Sequence, residues 1–378
     1  MKTMNVLCIY PGMAKQRNEV AFMLLKLKER GSGVAVISCK SLGLRGKGQQ
    51  SSFEDMDGVL VYRLYRDLRE TFIFPRAHLK KVLQITQHFK PDIIFCSQEL
   101  NMRVAVLLQK HLNLPIVLLV EDAGRIFSGE EYGQRIRTNL LFRLLGIPVG
   151  RKFWLWLCDN ASALITCHPR DKLILDRLSE CGKPIFYLPW PTYVPIDFKP
   201  SSSRKHSRGV YIGSLYPFKN TQEFEWTLPR ILRETPTKEF VVVGPGPHAK
   251  MVKHLNRITS GSVKYIQELP RIDALRLIAS SYYAYTPVAR GGWGFIGDCW
   301  SVRTPIVMSH NDNYVMNEVN AMVAENYDSL IHNINRLYDE PELYKRLQMK
   351  GSEESETRNA GLVGDALYRL LEKTIRSC

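Results

Sequence analysis

The chain has 378 residues, 45% of them hydrophobic and 24% charged, which is the composition of a soluble globular protein and excludes a disordered one. Such a length exceeds one ordinary core, so two domains are expected. Lys and Arg number 52 against 37 Asp and Glu, a formal net charge of +15, and that excess favours anionic partners: phosphorylated small molecules, nucleic acid or an acidic membrane surface.

The opening MKTMNVLCIYPGMAKQ has too short an apolar run for a signal peptide. It reads as a first strand, 4–10, ending in a Pro11-Gly12 loop. Helical spacing over 18–30 stops at Gly31, and GVAVISC (33–39) gives a second strand. GVLVYRL (58–64) is a third strand, and a basic helix covers about 76–89. Strand IIFCS, helix 101–112 and strand LPIVLLVED (114–122) follow. A helix-rich stretch (133–157), strand SALITC (162–167), helix 169–181 and strand PIFYLP complete the first half. Near-continuous Val/Ile/Leu strands alternating with helices predict a parallel sheet covered on both faces.

The proline-rich, serine-rich and basic stretch between about 189 and 208 has no periodic apolar face and reads as a linker. Alternation then restarts: strand 208–215, helix 220–234, strand 238–247, helix 248–258, strand 263–269, helix 271–279, strand 282–288, helix 294–302 and strand 304–309. A helical tail occupies about 327–375. The fold class is α/β with two Rossmann-like domains. Domain bounds are set at 1–195, a linker 196–207, a second domain 208–350, and a tail 351–378 packing back toward the first domain.

Eight cysteines occur without a C-x-x-C pair, which predicts buried, reduced thiols in a cytoplasmic protein. No run is long and apolar enough to cross a membrane, since FWLWLCDNASALIT is broken by Asp159 and Asn160. Arg135, Arg137, Arg143, Arg151 and Lys152 interleave with Leu140, Leu141, Phe142, Phe153, Trp154 and Trp156. Two readings stay open there: a helix docked peripherally on an anionic membrane, or a helix packing its aromatics into the core. Dispersed charge and the lack of a recognisable binding module argue against nucleic acid.

The segment 289–307, ARGGWGFIGDCWSVRTPIV, carries the most chemistry. Gly291, Gly292 and Gly294 open a helix, where positive φ and free N–H groups suit a phosphate. Asp298, one turn on, can accept hydrogen bonds from sugar hydroxyls. This segment resembles the GT-B glycosyltransferases, closest to the large retaining family four, also called group 1. The resemblance is strong over 208–350 and looser before 200. It implies a deep cleft between the domains, with the acceptor on the first and the nucleotide sugar on the second. Asp298 falls on that family's ribose-binding acid and Thr304-Pro305-Ile306-Val307 on the strand start. Arg290 stands where the family has a glutamate.

In VYIGSLYPFKNTQEF (210–224), Lys219 falls on the family's diphosphate-binding lysine, while Ser214, after Gly213, replaces an arginine. PIVLLVEDAG (115–124) resembles a strand ending in His-Asp, with Glu121 and Asp122 in those places. The implied catalytic residues are Glu121, Asp122 and Lys219. The implied donor-binding residues are Gly12, Gly213, Ser214, Lys219, Arg290, Gly291, Gly292, Trp293, Gly294 and Asp298. His168 is an acceptor-side candidate, and the Gly244-Pro245-Gly246-Pro247 turn is read as structural. The expected activity is transfer of a sugar from a nucleoside diphosphate sugar to a hydroxyl acceptor (a lipid-linked sugar, glycan or small molecule) with retention and with no metal or resident cofactor. A sugar-nucleotide epimerase and a catalytically silent binding protein of the same fold are the alternatives. Walker-type and first-strand G-x-G-x-x-G patterns are missing, which removes the main support for kinase and dehydrogenase readings.

Overall fold

The structure, a computed structural model, describes residues 3–13, 19–40, 51–121, 130–131, 134–135, 151–178, 182–195, 198–199, 203–287, 293–310 and 314–378. The chain divides into two compact units, Met1–Pro191 with Ala360–Cys378, and Thr192–Asn359. Each is an α/β body built on its own sheet.

The strands of the first unit are β1 (Asn5–Ile9), β2 (Gly33–Cys39), β3 (Phe53–Met56), β4 (Val59–Tyr65), β5 (Ile93–Ser97), β6 (Ile116–Val120), β7 (Glu130–Glu131), β8 (Gln134–Arg135), β9 (Ala163–Thr166) and β10 (Ile185–Tyr187). Among the described residues, eight of them form one sheet in the order β10-β9-β6-β5-β1-β2-β4-β3, while β7 and β8 pair only with each other. Every pairing in the large sheet is parallel except β3 with β4. Strands β5 and β6 are buried at every residue, and so are Val6 to Ile9 of β1, because helices cover both faces. Those helices are α1 (Glu19–Glu29), α2 (Leu68–Ile73), α3 (Leu79–Phe89), α4 (Met102–Leu112), α5 (Arg151–Asn160) and α6 (Pro169–Leu178).

The second unit holds β11 (Lys205–Ile212), β12 (Glu239–Val243), β13 (Val263–Ile266), β14 (Ser281–Thr286), β15 (Ile306–Met308) and β16 (Met322–Val323) in the order β13-β12-β11-β14-β15-β16, all parallel. Its helices are α7 (Phe224–Glu234), α8 (Ala249–Ile258), α9 (Arg271–Ala279), α10 (Trp293–Ser301), α11 (Tyr327–Asp339) and α12 (Pro341–Thr357). The last helix, α13 (Ala360–Ser377), returns to the first unit, where Asp365 pairs with Arg30 of α1 and the Arg30 guanidinium lies 5.7 Å from the Tyr368 ring. Lys205–Ser207, placed in a linker by sequence, begin β11. Ahead of it, Thr192 is fastened by backbone N–H to Arg358 O at 2.7 Å and by its hydroxyl to Ser355 O at 2.8 Å.

Two readings change. Gln134–Arg135 is a short strand, where a helix was expected from 133, and the helix described nearby is α5. Trp154 of α5 is fully buried with Leu157 in the first unit's core, and Phe153 and Trp156, whose rings stack on each other 5.8 Å apart, pack against that core. The Trp154 ring is therefore a core side chain and does not lie in a membrane. The remainder of that basic stretch, 136–150, lies outside the described residues. Among the described residues no helix is long and apolar enough to cross a membrane. Cys8, Cys39, Cys96, Cys158, Cys167 and Cys299 are buried and reduced; burial pushes the Cys39 thiol up to about 12, with Asp67 and Glu70 adding to the shift.

Candidate functional site

In an open parallel sheet, ligands bind at the carboxyl ends of the strands where the strand order reverses. The second sheet reverses between β11 and β14, and the first between β1 and β5.

After β11 the chain runs through Gly213 and Ser214 into a 3₁₀ turn, Pro217–Lys219, then Asn220 in the left-handed region (φ 51°), a second turn Thr221–Glu223, and α7. The Gly-Pro-Gly-Pro turn after β12 fixes this loop. A Cβ on Gly244 (φ +145°) would sit 1.8 Å from Gly213 O, and one on Gly246 (φ +151°) 2.3 Å from Leu215 O. No side chain fits either place, so two backbones lie directly against each other. They are stitched by Gly213 N–H to Val243 O (2.9 Å), Leu215 N–H to Pro245 O (2.8 Å) and His248 N–H to Leu215 O (3.1 Å). Tyr211 donates its hydroxyl to Ser214 O at 3.2 Å.

Three side chains missed by sequence complete the frame. Asn220 Nδ2 donates to Pro287 O at 3.4 Å, tying the lysine loop to the residue that follows β14. Thr221 Oγ1 donates to Tyr216 O at 3.3 Å and lies 2.8 Å from His248 Nδ1, so the imidazole supplies the proton of that contact. Burial holds His248 below the ordinary histidine range, which keeps it neutral at pH 7. At the neighbouring strand end, His310 Nε2 lies 3.0 Å from Glu223 Oε1 and Tyr285 Oη 2.7 Å from Ser309 Oγ. The half-buried Lys219 is thus carried on a loop clamped from two sides.

Of the glycine segment, Arg290, Gly291 and Gly292 lie outside the described residues, as does Asp122 in the first unit. Trp293 and the half-buried Gly294 form the first turn of α10. Trp293 is 3% exposed, packed 4.8 Å from Tyr314 and 5.6 Å from Trp300, with the Arg358 guanidinium 4.6 Å from its ring. Its ring is thereby a core element of the unit. Asp298 is gripped at both oxygens by Arg271, at 2.5 Å from Nη2 to Oδ1 and by Nη1 to Oδ2, and Arg271 Nη2 also donates to Tyr193 O at 2.7 Å. Burial raises the Asp298 pKa and Arg271 opposes that rise.

In the first unit, the Pro11-Gly12 loop follows β1, with Pro11 O accepting from Ser38 Oγ (3.2 Å) and Met13 O from the fully buried Arg63 (3.2 Å). Gln98, Glu121 and His168 stand just beyond the carboxyl ends of the neighbouring strands β5, β6 and β9. Glu121 accepts from Ser97 Oγ at 3.2 Å and from Gln98 Nε2 at 3.1 Å, and its N–H donates to the buried Glu99 at 2.8 Å. His168 sits where α6 begins, its carbonyl accepting from Lys172 N–H at 3.0 Å.

The whole chain is similar in fold to sucrose-phosphate synthase from Thermosynechococcus elongatus, at 14% identity over all of both chains and a TM-score of 0.80. It is similar to HepE of Anabaena in complex with UDP and glucose (13% identity, 98% of this chain and 99% of that one, TM-score 0.72). It is also similar to the catalytic domain of starch synthase IV from Arabidopsis thaliana bound to ADP and acarbose (14%, 99% and 100%, TM-score 0.69). No family model and no curated protein matches the sequence. At these identities the likeness establishes the fold: the chain has the two-domain GT-B architecture.

Proposed function

We propose that the protein is a glycosyltransferase moving a sugar from a nucleoside diphosphate sugar to a hydroxyl acceptor, with retention of configuration. The observation that carries this reading is Lys219 on a clamped loop at the β11/β14 switch point, tied through Asn220 to the strand end that leads into the glycine run. The bound UDP of HepE and ADP of starch synthase IV support a nucleoside diphosphate as the ligand of this fold.

Breaking the glycosidic bond of such a donor leaves negative charge on a diphosphate. In this reading Lys219, Arg290, Gly213 and Ser214 with the backbone amides of 291–294, and the N-terminus of α10 stabilise that charge, a contribution of about 3–4 kcal/mol for a single well-placed donor. Asp298 reaches a ribose by sharing its ion pair with Arg271. On the first unit, Glu121 is oriented by Ser97 and Gln98 and holds a hydroxyl of acceptor or donor sugar, with Asp122, His168 and the Gly12 loop alongside. The nucleotide sugar is a co-substrate, and no resident cofactor is assigned. Six buried cysteines among the described residues fit a reducing cytoplasm, and Arg151 and Lys152 are exposed basic side chains, among the described residues, for docking on an anionic surface.

Product analysis after incubation with labelled UDP-, GDP-, ADP- or TDP-sugars tests the reading. Slow release of free sugar with the nucleoside diphosphate supports a transferase. An epimerised nucleotide sugar, or nucleotide binding with no turnover, would overturn it.

A further inference from the structure

Arg63 of β4 is a fully buried guanidinium, and the sheet sets it in register beside Ser38 of β2, which is buried too. A buried cation is costly unless it is paired and its N–H groups are bonded. Arg63 Nη2 donates to Glu54 Oε2 at 2.6 Å, Nη1 to Ser51 O at 3.3 Å and Nε to Met13 O at 3.2 Å. The balancing charge comes from Glu54 on the edge strand β3. Core packing alone would be served by an apolar side chain. What the guanidinium adds is a bond to each of three separate segments.

One of those segments is the loop that leaves β1. The strand order there is β1-β2-β4, so Arg63 reaches past a whole strand to Met13. Its neighbour in register acts on the same loop, since Ser38 Oγ donates to Pro11 O at 3.2 Å. Two cross-strand partners thus hold alternate carbonyls, 11 and 13, and Gly12 lies between the anchors. In a trans peptide the N–H opposes the carbonyl of the same unit. Fixing the Pro11 carbonyl on Ser38 therefore turns the Gly12 N–H away from Ser38. The loop stands at the β1/β5 switch point, where an open parallel sheet binds its ligand.

We infer that Ser38 and Arg63 are positioning residues of the reaction: buried themselves, they act through the loop and set the aim of the Gly12 amide toward the bound substrate. The inference rests on the glycosyltransferase reading, which supplies the reaction the loop serves. Aim matters on this scale, because a group misplaced by about 1 Å loses on the order of 100-fold in rate. Glu54 stands apart from this role. It balances the charge of Arg63 and touches neither anchored carbonyl.

The test uses the full chain and three variants. Ser38→Ala removes one anchor. Arg63→Lys keeps a charge beside Glu54, but one ammonium lacks the fork that holds Met13 and Ser51 together. Glu54→Gln removes the balancing charge and keeps an oxygen for Nη2, so both anchors remain. Release of nucleoside diphosphate from a nucleotide sugar is measured at a temperature where all four proteins are fully folded, and Tm is recorded for each. Ser38→Ala and Arg63→Lys should lose at least ~10-fold in kcat/KM. Glu54→Gln should melt lower than wild type and keep its kcat/KM. A purely structural role gives lower Tm values with kcat/KM intact in all three, and that pattern overturns the inference. So does an equal loss of activity in Glu54→Gln, which would tie turnover to fold stability and not to the anchors. A wild type that releases nothing from any nucleotide sugar sinks the glycosyltransferase reading and this inference with it, whereas an active wild type with unaffected anchor variants sinks this inference alone.

Discussion

Arg271 holds both carboxylate oxygens of Asp298 and also reaches the carbonyl of Tyr193. The acid that the family resemblance assigns to a ribose is thus already engaged before any nucleotide arrives. Two single variants separate its roles. If Asp298 contacts the ribose, Asp298→Ala should weaken nucleotide binding at least ~10-fold, while Arg271→Ala, which releases the carboxylate, should leave affinity unchanged or raise it. Arg271→Ala should also lower stability by about 1–3 kcal/mol, since both partners are partly solvated. Calorimetry with UDP and ADP reads the first effect. Equal losses in both variants would make the pair a structural clamp only.

Gly244 and Gly261 both have positive φ, yet their surroundings differ. A Cβ at Gly244 meets backbone at 1.8 Å, whereas one at Gly261 (φ +84°) meets nothing within 4 Å. Gly261→Ala should therefore cost only about 1 kcal/mol from its conformation. Gly244→Ala should cost more than about 3 kcal/mol and displace the Lys219 loop. Denaturant melts give the ranking, and similar values for the two would refute the backbone seam.

Glu239 is pushed up by burial, but Lys264, Lys205 and Arg208 outweigh that and hold it down to about 2. A depressed carboxyl adds stability above its unfolded value, and this is lost as pH falls toward the folded one. The window runs from the model-peptide value of 4.5 down to about 2. Lys205 and Lys264 are half exposed, so the contribution is about 1–2 kcal/mol. Glu239→Gln should be less stable than wild type at pH 7, and the gap should close as pH is lowered through that window. A gap independent of pH would show that the charge plays no part.

Trp154 decides between two readings of α5. Its ring is fully buried among Leu157, Cys158 and neighbouring core side chains. Trp154→Ala should cost about 3–5 kcal/mol. Arg151 and Lys152 are exposed, so any binding of anionic liposomes through α5 should fall in an Arg151→Ala, Lys152→Ala double variant and with rising salt. A stable Trp154→Ala protein with weakened liposome binding would return the aromatic face to the membrane.

Continuous apolar runs made the sheets legible. The segments Gly33–Cys39 and Arg271–Ala279 coincide with their sequence readings, because strand and helix periods there are unbroken. Strand β3 was missed although the hairpin signal was present: Asp57 and Gly58 both take positive φ (54° and 85°), as an Asp-Gly turn demands. Strand β16 has two residues and no pattern to read. At the site, the loop carrying Lys219 could be placed from its chain neighbours, but what fixes it could not. Asn220 meets Pro287 across 67 positions and Thr221 meets His248 across 27, separations that no local pattern spans.

Lys219 carries the central claim, and the most direct test compares wild type with Lys219→Ala for release of nucleoside diphosphate from a nucleotide sugar, after a thermal-shift screen has chosen the donor. The account predicts turnover at least ~100-fold slower in the variant, at unchanged Tm. Equal release rates from the two proteins, or no release by the wild type from any UDP-, GDP-, ADP- or TDP-sugar, would contradict it.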